Sequence, residues 1–279
     1  MSNIHWYPGH IAKAQRELQD KLNLIDVIIE VIDARLPHSS KYADIERLTK
    51  GKPRLIIFNK SDLTEKSELE KWEKLYKEKY SLPVISTNSN TNNIKEIINN
   101  TIQLASEMLE KRKTKGLLPR AVRTVVIGMP NVGKSTIINR LTKSSKAKTG
   151  QKAGVTRNQQ WVRINDKLEL LDTPGIIPPI QSDAEINLKL ATIGSIGENS
   201  YDDEYVACEL LKILTKIDEQ KLREYYNLQD EEITLETVAL ARNWIKKGAE
   251  ADIERTSKFV LVNFRQCKIG KFILDELPV

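Results

Sequence analysis

The sequence predicts an α/β fold, in which a doubly wound and mainly parallel sheet is flanked by helices and followed by a small all-α region. Three observations support this prediction. Short apolar runs of strand length recur between residues 25 and 171, helical apolar spacing separates these runs, and only helical patterns follow Pro178 and Pro179. Near-continuous apolar runs are typical of strands buried on both faces of a parallel sheet. We therefore expect two domains, residues 1–179 and 180–279.

The predicted elements alternate along the first domain. Residues 11–23 have the i, i+3, i+4 apolar spacing of an amphipathic helix, which precedes the first strand. The same spacing predicts helices over residues 67–80 and 94–113, and Gly116 and Pro119 then mark a linker. The apolar runs that predict strands are residues 25–32, 55–58, 83–86, 124–128 and 168–171.

Composition excludes several classes of protein. The chain has 279 residues, of which 40% are hydrophobic and 29% charged, as in a soluble globular protein. No apolar run approaches the ~20 residues that span a bilayer, and the first residues lack a signal-peptide pattern. Cys208 and Cys267 are too few for a disulfide framework or a four-cysteine zinc site. We expect a monomeric cytoplasmic protein with no membrane span.

The net charge of +6 is unevenly distributed. Residues 110–157 contain thirteen lysines and arginines and a single acid, a net charge of +12, so the rest of the chain carries −6. A weaker basic run covers residues 242–271, with eight basic and three acidic residues. One such run is typical of a solvated surface, whereas two favour a polyanionic partner such as nucleic acid. We expect residues 111–115 and 143–157 to lie beside the nucleotide site described next.

The strongest motif is GMPNVGKS at residues 128–135, which follows a predicted strand and precedes a helical stretch. It matches the phosphate-loop pattern, in which glycines let successive backbone N–H groups point at a phosphate. Lys134 is then expected to reach the β- and γ-phosphates, and the Ser135 hydroxyl to bind Mg²⁺. The residues expected to line the phosphates are Gly128, Met129, Pro130, Asn131, Val132, Gly133, Lys134, Ser135 and Thr136.

Two further segments fit the same chemistry. Asp172 begins the string DTPG at the end of a predicted strand, where an acid can support Mg²⁺ and the amide of Gly175 can approach a γ-phosphate. Thr156 lies in a polar loop between these motifs, the usual position of a threonine that closes onto Mg²⁺ when the γ-phosphate is present. Considered alone, Thr156 is more typical of a surface loop, and its position between the two motifs favours the Mg²⁺ role.

The base is expected to bind far upstream, at the string NKSD. The Asp62 carboxylate can accept two hydrogen bonds from guanine N1 and N2, which adenine does not offer. Asn59 and the stem of Lys60 can bracket the base and tie its loop to the phosphate loop. A surface turn is the alternative for so short a string. A backbone N–H of the next loop can contact guanine O6, and this loop comprises Ser86, Thr87 and Asn88.

Together these strings resemble the motifs of GTPases in a changed order, because the base-binding motifs precede the phosphate loop. That order is similar to the circularly permuted GTPases. With WYPGH at residues 6–10, DAR at 33–35 and the helical C-terminal region, the chain resembles the ribosome biogenesis GTPase A family over nearly its whole length. Thr87 departs from the alanine usual in that family.

The resemblance implies conversion of GTP to GDP and phosphate, with Mg²⁺ as cofactor. It also implies an assembly factor of the large ribosomal subunit, which binds ribosomal RNA and precursor particles in the GTP state and leaves after hydrolysis. Two alternatives remain open: an RNA-binding scaffold with a structural nucleotide, and a permuted GTPase acting on another RNA. An ATP-using phosphate-loop enzyme is a third.

Hydrolysis needs a group that the usual position does not supply. Many GTPases have glutamine after D-x-x-G, whereas this chain has Ile176, which cannot orient water. His10 can do so if the N-terminal segment folds over the site; its alternative role is helix capping or packing. Asn131 corresponds to an asparagine that helps to bind K⁺ in related GTPases, and its alternative is an ordinary turn. The catalytic candidates are His10, Lys134, Thr156 and Gly175.

Three other features are interpreted more simply. Trp161 and Trp244 follow apolar patterns and are expected in the core. Residues 33–35 are expected to shape the end of a strand. Because the segment after Gly175 runs directly into the helical domain, nucleotide state is expected to be transmitted to that domain.

Overall fold

The computed structural model describes residues 22–41, 45, 49, 51–91, 93–146, 161–171 and 183–278, with side chains described up to residue 143 in the helix that ends at Lys146. Several predictions lie outside these residues. They concern nearly all of the helix over 11–23, and His10, Thr156, Asp172 and Gly175.

Six strands form one sheet in the order β3-β2-β1-β4-β6-β5. Neighbouring strands are parallel except β5 and β6, which are antiparallel. The predicted fold class is therefore confirmed. The strands are β1 (Val27–Asp33), β2 (Arg54–Asn59), β3 (Val84–Ser86), β4 (Val122–Gly128), β5 (Trp161–Asn165) and β6 (Leu168–Leu171).

Strand β5 is absent from the sequence prediction. It lies at the edge of the sheet, and most of its residues are partly or fully exposed. Its sequence WVRIN therefore lacks the continuous apolar run by which the buried strands were found. The residues of β1 and β2, by contrast, are all buried.

The described helices that accompany the sheet are α1 (Lys66–Glu78), α2 (Ile94–Leu104), α3 (Ser106–Thr114) and α4 (Lys134–Lys146). The single helix predicted over 94–113 is two helices, because the chain turns at Ala105, whose N–H bonds to the Ile102 carbonyl. The two helices also differ in burial. Helix α2 buries Ile94, Ile97 and Ile98 against the sheet, whereas α3 has no buried residue.

The strand order brings distant segments together. Strands β1 and β4 are parallel neighbours, with Val31 opposite Gly128, and β1 also pairs with β2, with Asp33 opposite Asn59. The carboxyl ends of these strands therefore meet at one edge of the sheet. The loops that follow β2, β3 and β4 are the three segments predicted to bind the nucleotide. These loops are neighbours at the carboxyl ends of the strands, although the hydrogen-bonded partners Asn59 and Val132 are 73 residues apart in the sequence.

The basic residues 111–115 lie near the amino end of β4, whereas the predicted nucleotide loops lie at the carboxyl ends of the strands. The expectation that residues 111–115 flank the nucleotide site is therefore wrong. Helix α3 ends at Thr114, and the following chain enters β4 at its amino end. There Arg120 pairs with Asp26, just before β1, at 2.6 Å. Since β4 has seven residues, roughly 20 Å separate its two ends.

The chain from Asp183 is helical in most of its length. Its helices are α5 (Ala184–Thr192), α6 (Asp203–Tyr226), α7 (Leu235–Ala241) and α8 (Ile253–Arg265). Side chains cap their amino ends: Asp183 and Asp202 accept backbone N–H bonds at α5 and α6, and Thr234 forms a capping box at α7. In the described part of the chain, no helix is long and apolar enough to cross a membrane.

Candidate nucleotide site

The phosphate loop requires glycine at two positions. Gly128 has a φ of +151°, and a Cβ there would lie 2.3 Å from the Val31 carbonyl oxygen of β1. Gly133 has a φ of +99°, and a Cβ there would lie 2.0 Å from the Asn59 side-chain nitrogen. Any larger residue would push the loop away from β1 or from the base-binding loop. The closely backed loop therefore fits the phosphate cradle that the motif predicts.

Lys134, the first residue of α4, is held inside this loop. Its side chain is 7% exposed, and its Nζ donates to the Met129 carbonyl at 2.7 Å. Burial lowers the pKa of Lys134 to about 8. The buried Lys134 ammonium donates to a neutral carbonyl, so its positive charge has no counterion there. This arrangement favours the binding of an anion such as a phosphate. Ser135 and Thr136 follow on the exposed first turn of α4.

The NKSD segment is tied to the phosphate loop, as the sequence suggests. Asn59 donates from Nδ2 to the Val132 carbonyl at 2.7 Å, in a buried position. Lys60, with a left-handed φ of 60°, donates from Nζ to the Asn131 carbonyl at 2.7 Å. Asp62 lies exposed in the turn Ser61–Leu63. Its carboxylate is thus open to a ligand, while its neighbours fix the loop.

The segment of Ser86, Thr87 and Asn88 lies beside that loop. The Ser61 N–H donates to the Thr87 carbonyl at 3.1 Å. The guanidinium of Arg140, on α4, donates to the Asn88 carbonyl at 2.8 Å. One hydrogen-bond network therefore connects three loops from distant parts of the chain. The Ser86 hydroxyl itself donates to the Glu73 carboxylate of α1, which orients it away from a ligand role.

The backbone N–H groups of Thr87 and Asn88 differ in their availability for the guanine O6 contact that is predicted for this loop. The N–H of Thr87 donates to the Phe58 carbonyl at 2.8 Å and so belongs to the sheet. The N–H of Asn88 donates instead to the Thr91 hydroxyl at 2.9 Å, a side-chain acceptor that a ligand can replace. Of these two N–H groups, that of Asn88 is therefore the more available for the predicted guanine O6 contact.

The phosphate loop also contacts the helical segment, which comprises residues 183–278. Asn131, with a left-handed φ of 57°, donates from Nδ2 to the Gly194 carbonyl at 2.6 Å. The Ser195 hydroxyl donates to the Pro130 carbonyl at 2.7 Å. The amide that was predicted to bind K⁺ is thus oriented by the turn that follows α5. No sequence pattern predicts these two hydrogen bonds, which join the phosphate loop to Gly194 and Ser195.

Asp33 is a second feature that the sequence interpretation underestimated. Its side chain is fully buried at the end of β1, and it accepts from Arg35 and Lys60 at 2.9 Å each. Burial would raise the pKa of Asp33, but these two cations hold it well below its usual range. An acid at the end of a buried and mainly apolar strand was the available signal, since such a charge needs partners.

The two tryptophans expected in the core are only partly buried. Arg123 lies 4.8 Å from the ring centroid of Trp161, and Arg255 lies 4.5 Å from that of Trp244. Each ring thus faces a guanidinium.

These features define the class of the protein. A phosphate loop after β4, a base-binding loop after β2 and this strand order belong to a P-loop GTPase whose motifs run in circularly permuted order.

Comparison with known proteins gives the family. The family model described as 50S ribosome-binding GTPase matches residues 123–240, and the RsgA GTPase model matches residues 45–179. Ribosome biogenesis GTPase A of Bacillus cereus is 39% identical over 98% of this chain and 93% of its own length. The protein of the same name from Bacillus licheniformis is 39% identical over 98% of both chains.

Solved structures agree with this family. GDP-bound and GNP-bound structures of YlqF from T. maritima cover 94% and 95% of this chain, and 99% and 98% of their own. Their TM-scores are 0.66 and 0.63, and their identities 25% and 26%. The chain belongs to the ribosome biogenesis GTPase A family, and it binds guanine nucleotide and hydrolyses GTP.

Proposed function

We propose that this GTPase is an assembly factor for the large ribosomal subunit, which binds ribosomal RNA in precursor particles with GTP bound and leaves after hydrolysis. The names of its relatives support a role in ribosome biogenesis. The observation that carries the switch is the pair of hydrogen bonds between the phosphate loop and the turn at Gly194 and Ser195. We assign the GTPase unit to residues 1–179 and the ribosome-binding unit to 180–279.

The phosphate loop binds GTP through its own groups. Residues 128–136 surround the phosphates, and Lys134 exchanges the Met129 carbonyl for phosphate oxygens. Asp62 reads guanine N1 and N2, while Asn59 and Lys60 keep its loop against the phosphate loop. Adenine lacks this donor pair, so the site prefers guanine.

Mg²⁺ suits the oxygen donors that the sequence offers for this site. Ser135 is exposed beside Lys134 on the first turn of α4. Strand β6 runs parallel to β4 and ends at Leu171, and Asp172 is the next residue in the sequence. Ser135, Thr156 and Asp172 would hold the ion, which when bound neutralises charge on the β- and γ-phosphates. The Gly175 amide contacts the γ-phosphate.

Water activation falls to groups other than Ile176. His10 positions the water in this proposal, and Asn131 contributes to a K⁺ site. The Asn131 Nδ2 is engaged by Gly194, so the amide oxygen is the atom left for a cation. Replacing K⁺ by Na⁺ should therefore slow hydrolysis in the wild type more than in Asn131→Ala.

The helical unit presents arginine and aromatic side chains suited to RNA. Arg242 lies 4.6 Å from the ring centroid of Phe259, and Arg255 lies 4.5 Å from that of Trp244. Stacked guanidinium and aromatic planes bind unpaired bases and phosphates. Lys247 is exposed nearby in sequence and adds charge.

Charge reversal tests this surface. The double variant Lys247→Glu and Arg255→Glu should weaken particle binding and reduce its salt dependence by about one unit of slope for each lost phosphate contact. The matched control reverses Lys66 and Lys95, two exposed lysines of the GTPase unit. Equal weakening by both pairs would show that the loss comes from the change in net charge and not from the proposed surface.

Hydrolysis rates test the switch itself. Precursor particles of the large subunit should accelerate GTP turnover, and particle binding should be stronger with a GTP analogue than with GDP. If turnover is unaffected by particles and RNA binding ignores the nucleotide, the chain is a scaffold with a structural nucleotide. Stimulation by a different RNA alone would redirect the proposal to that RNA.

Competition between nucleotides tests the base assignment. ATP should displace labelled GTP poorly from the wild type. Asp62→Ala should lose most of the preference for GTP over ATP, because one carboxylate provides both guanine contacts. An unchanged preference would remove Asp62 from the site.

A further inference from the structure

The buried carboxylate of Asp33 lies where β1, the base-binding loop and the phosphate loop meet. Its Oδ2 is 2.9 Å from the Lys60 Nζ, and the same Nζ lies 2.7 Å from the Asn131 carbonyl. Lys60 is thus held between a charge on one side and the phosphate loop on the other. The backbone supports this placement, since the Ala34 N–H donates to the Asn59 carbonyl at 2.8 Å.

Asp33 is itself rigidly oriented. Arg35 donates to it from Nε and Nη2, each at 2.9 Å, and from its backbone N–H at 3.1 Å. The Asp33 N–H in turn donates to the Ser40 hydroxyl at 3.0 Å. The carboxylate therefore has one orientation, with its second oxygen directed at the lysine. A fixed buried anion is an effective constraint on a flexible ammonium stem.

Lys60 needs such a constraint. Its backbone is left-handed, with a φ of 60°, and its side chain is 28% exposed. A lysine stem loses much conformational entropy when it is ordered against a base, and a pre-formed ion pair removes part of that cost before the nucleotide arrives.

We propose that Asp33 is a positioning residue for nucleotide binding, which acts through Lys60 by holding its stem in the base-contacting arrangement. The inference rests on the proposed base-binding role of residues 59–62. It assigns to the residue at the end of β1 a role in affinity for GTP, in addition to pairing with Arg35.

Glu30 provides a matched control. It is fully buried three residues earlier on the same strand and pairs with Arg54 at 3.1 Å. Its partner lies on β2, at the opposite end from the nucleotide loops, with Arg54 opposite Ile28 in the ladder. Glu30→Gln therefore disrupts a buried ion pair of β1 without touching Lys60.

The test is a double-mutant cycle on GTP affinity with Asp33→Asn and Lys60→Met. Asp33→Asn should weaken GTP binding by about 10- to 100-fold, as expected for loss of a charge-assisted bond. It should raise KM and leave kcat at saturating GTP nearly unchanged. In the Lys60→Met background the same change should weaken GTP binding by less than about twofold. Glu30→Gln should lower the melting temperature and keep wild-type affinity.

Three results would overturn the inference: additive effects of Asp33→Asn and Lys60→Met, an equal loss of affinity in Glu30→Gln, or wild-type affinity in Asp33→Asn. If Asp33→Asn does not fold, Asp33→Asn with Arg35→Met removes the orphaned guanidinium and should show the same loss of affinity. Asp62→Ala separates the two proposals. If it leaves the GTP preference intact, the base assignment fails and this inference fails with it. If it removes the preference while Asp33→Asn binds GTP normally, the inference alone is wrong.

Discussion

Two of the contacts between the helical segment and the nucleotide-binding sheet differ in chemistry. The first, the β1 contact, joins residues 35–39 to Leu274 and Asp275. There the Asp275 carboxylate accepts from the backbone N–H groups of His38 and Ser39 at 2.8 Å and from the Ser39 hydroxyl at 2.5 Å. The Leu274 N–H donates to the Arg35 carbonyl at 2.9 Å. This contact is mostly buried and contains a charge.

The second, the phosphate-loop contact, consists of two neutral bonds. Asn131, which is exposed, donates to Gly194, and Ser195 donates to Pro130. Neutral bonds are weaker than charge-assisted ones and break at lower cost. The β1 contact therefore anchors the helical segment, while the phosphate-loop contact lies on the loop predicted to bind the phosphates and can respond to them.

The largest effect should come from breaking the β1 contact. Asp275→Ala leaves the amides of residues 38 and 39 without their acceptor, and it removes the more buried of the two carboxylates that pair with Lys189, at 3.5 Å. We expect a loss of about 3 kcal/mol in the free energy of unfolding, measured by urea denaturation.

Glu185→Ala is the matched control for Asp275→Ala. Glu185 pairs with the same lysine at 2.8 Å, but its side chain is 71% exposed. The loss should therefore stay below about 1 kcal/mol. Equal losses in the two variants would show that the β1 contact is no stronger than a surface ion pair.

An intermediate effect should appear in the pH dependence of GTP binding. Because the pKa of Lys134 is lowered to about 8, its ammonium loses its proton as pH rises above that value. Bound phosphates favour the charged form, so binding takes up a proton there and GTP affinity should fall by up to about tenfold per pH unit above 8. Calorimetry in buffers of different ionisation enthalpy measures the number of protons taken up when GTP binds. Lys134→Arg, which stays charged, should lose this uptake; its persistence would assign the titration to another group.

The smallest effect should come from the phosphate-loop contact. Ser195→Ala removes one neutral hydrogen bond to Pro130 and should cost about 1 kcal/mol in the free energy of unfolding. It should also weaken the dependence of particle binding on GTP, because the helical segment then has less contact with the loop. Urea denaturation and particle pull-down with GTP analogue or GDP measure the two quantities. A stability loss as large as that of Asp275→Ala would erase the difference between the contacts.

The sequence predicted the sheet well where strands are buried on both faces, and poorly at the exposed edge, where β5 lacks an apolar run. It predicted phosphate- and base-binding strings from glycine positions and polar residues at strand ends, and the structure brings the described strings together. It could not show that the Thr87 N–H is used by the sheet, since a ladder bond depends on the register of β2 with β3. It could not pair Asn131 with Gly194 either, because that contact depends on how distant segments pack.

The central claim is that the phosphate-loop contact responds to the nucleotide while the β1 contact does not. Hydrogen exchange of backbone amides, with a GTP analogue and then with GDP, tests it most directly. The amides to follow are Gly194 and Ser195, which bond to Ala191 and Leu190, and His38 and Ser39, which bond to Asp275. Protection should change between nucleotides at Gly194 and Ser195 and stay constant at His38 and Ser39. Equal changes at both places, or no change at Gly194 and Ser195, would contradict it.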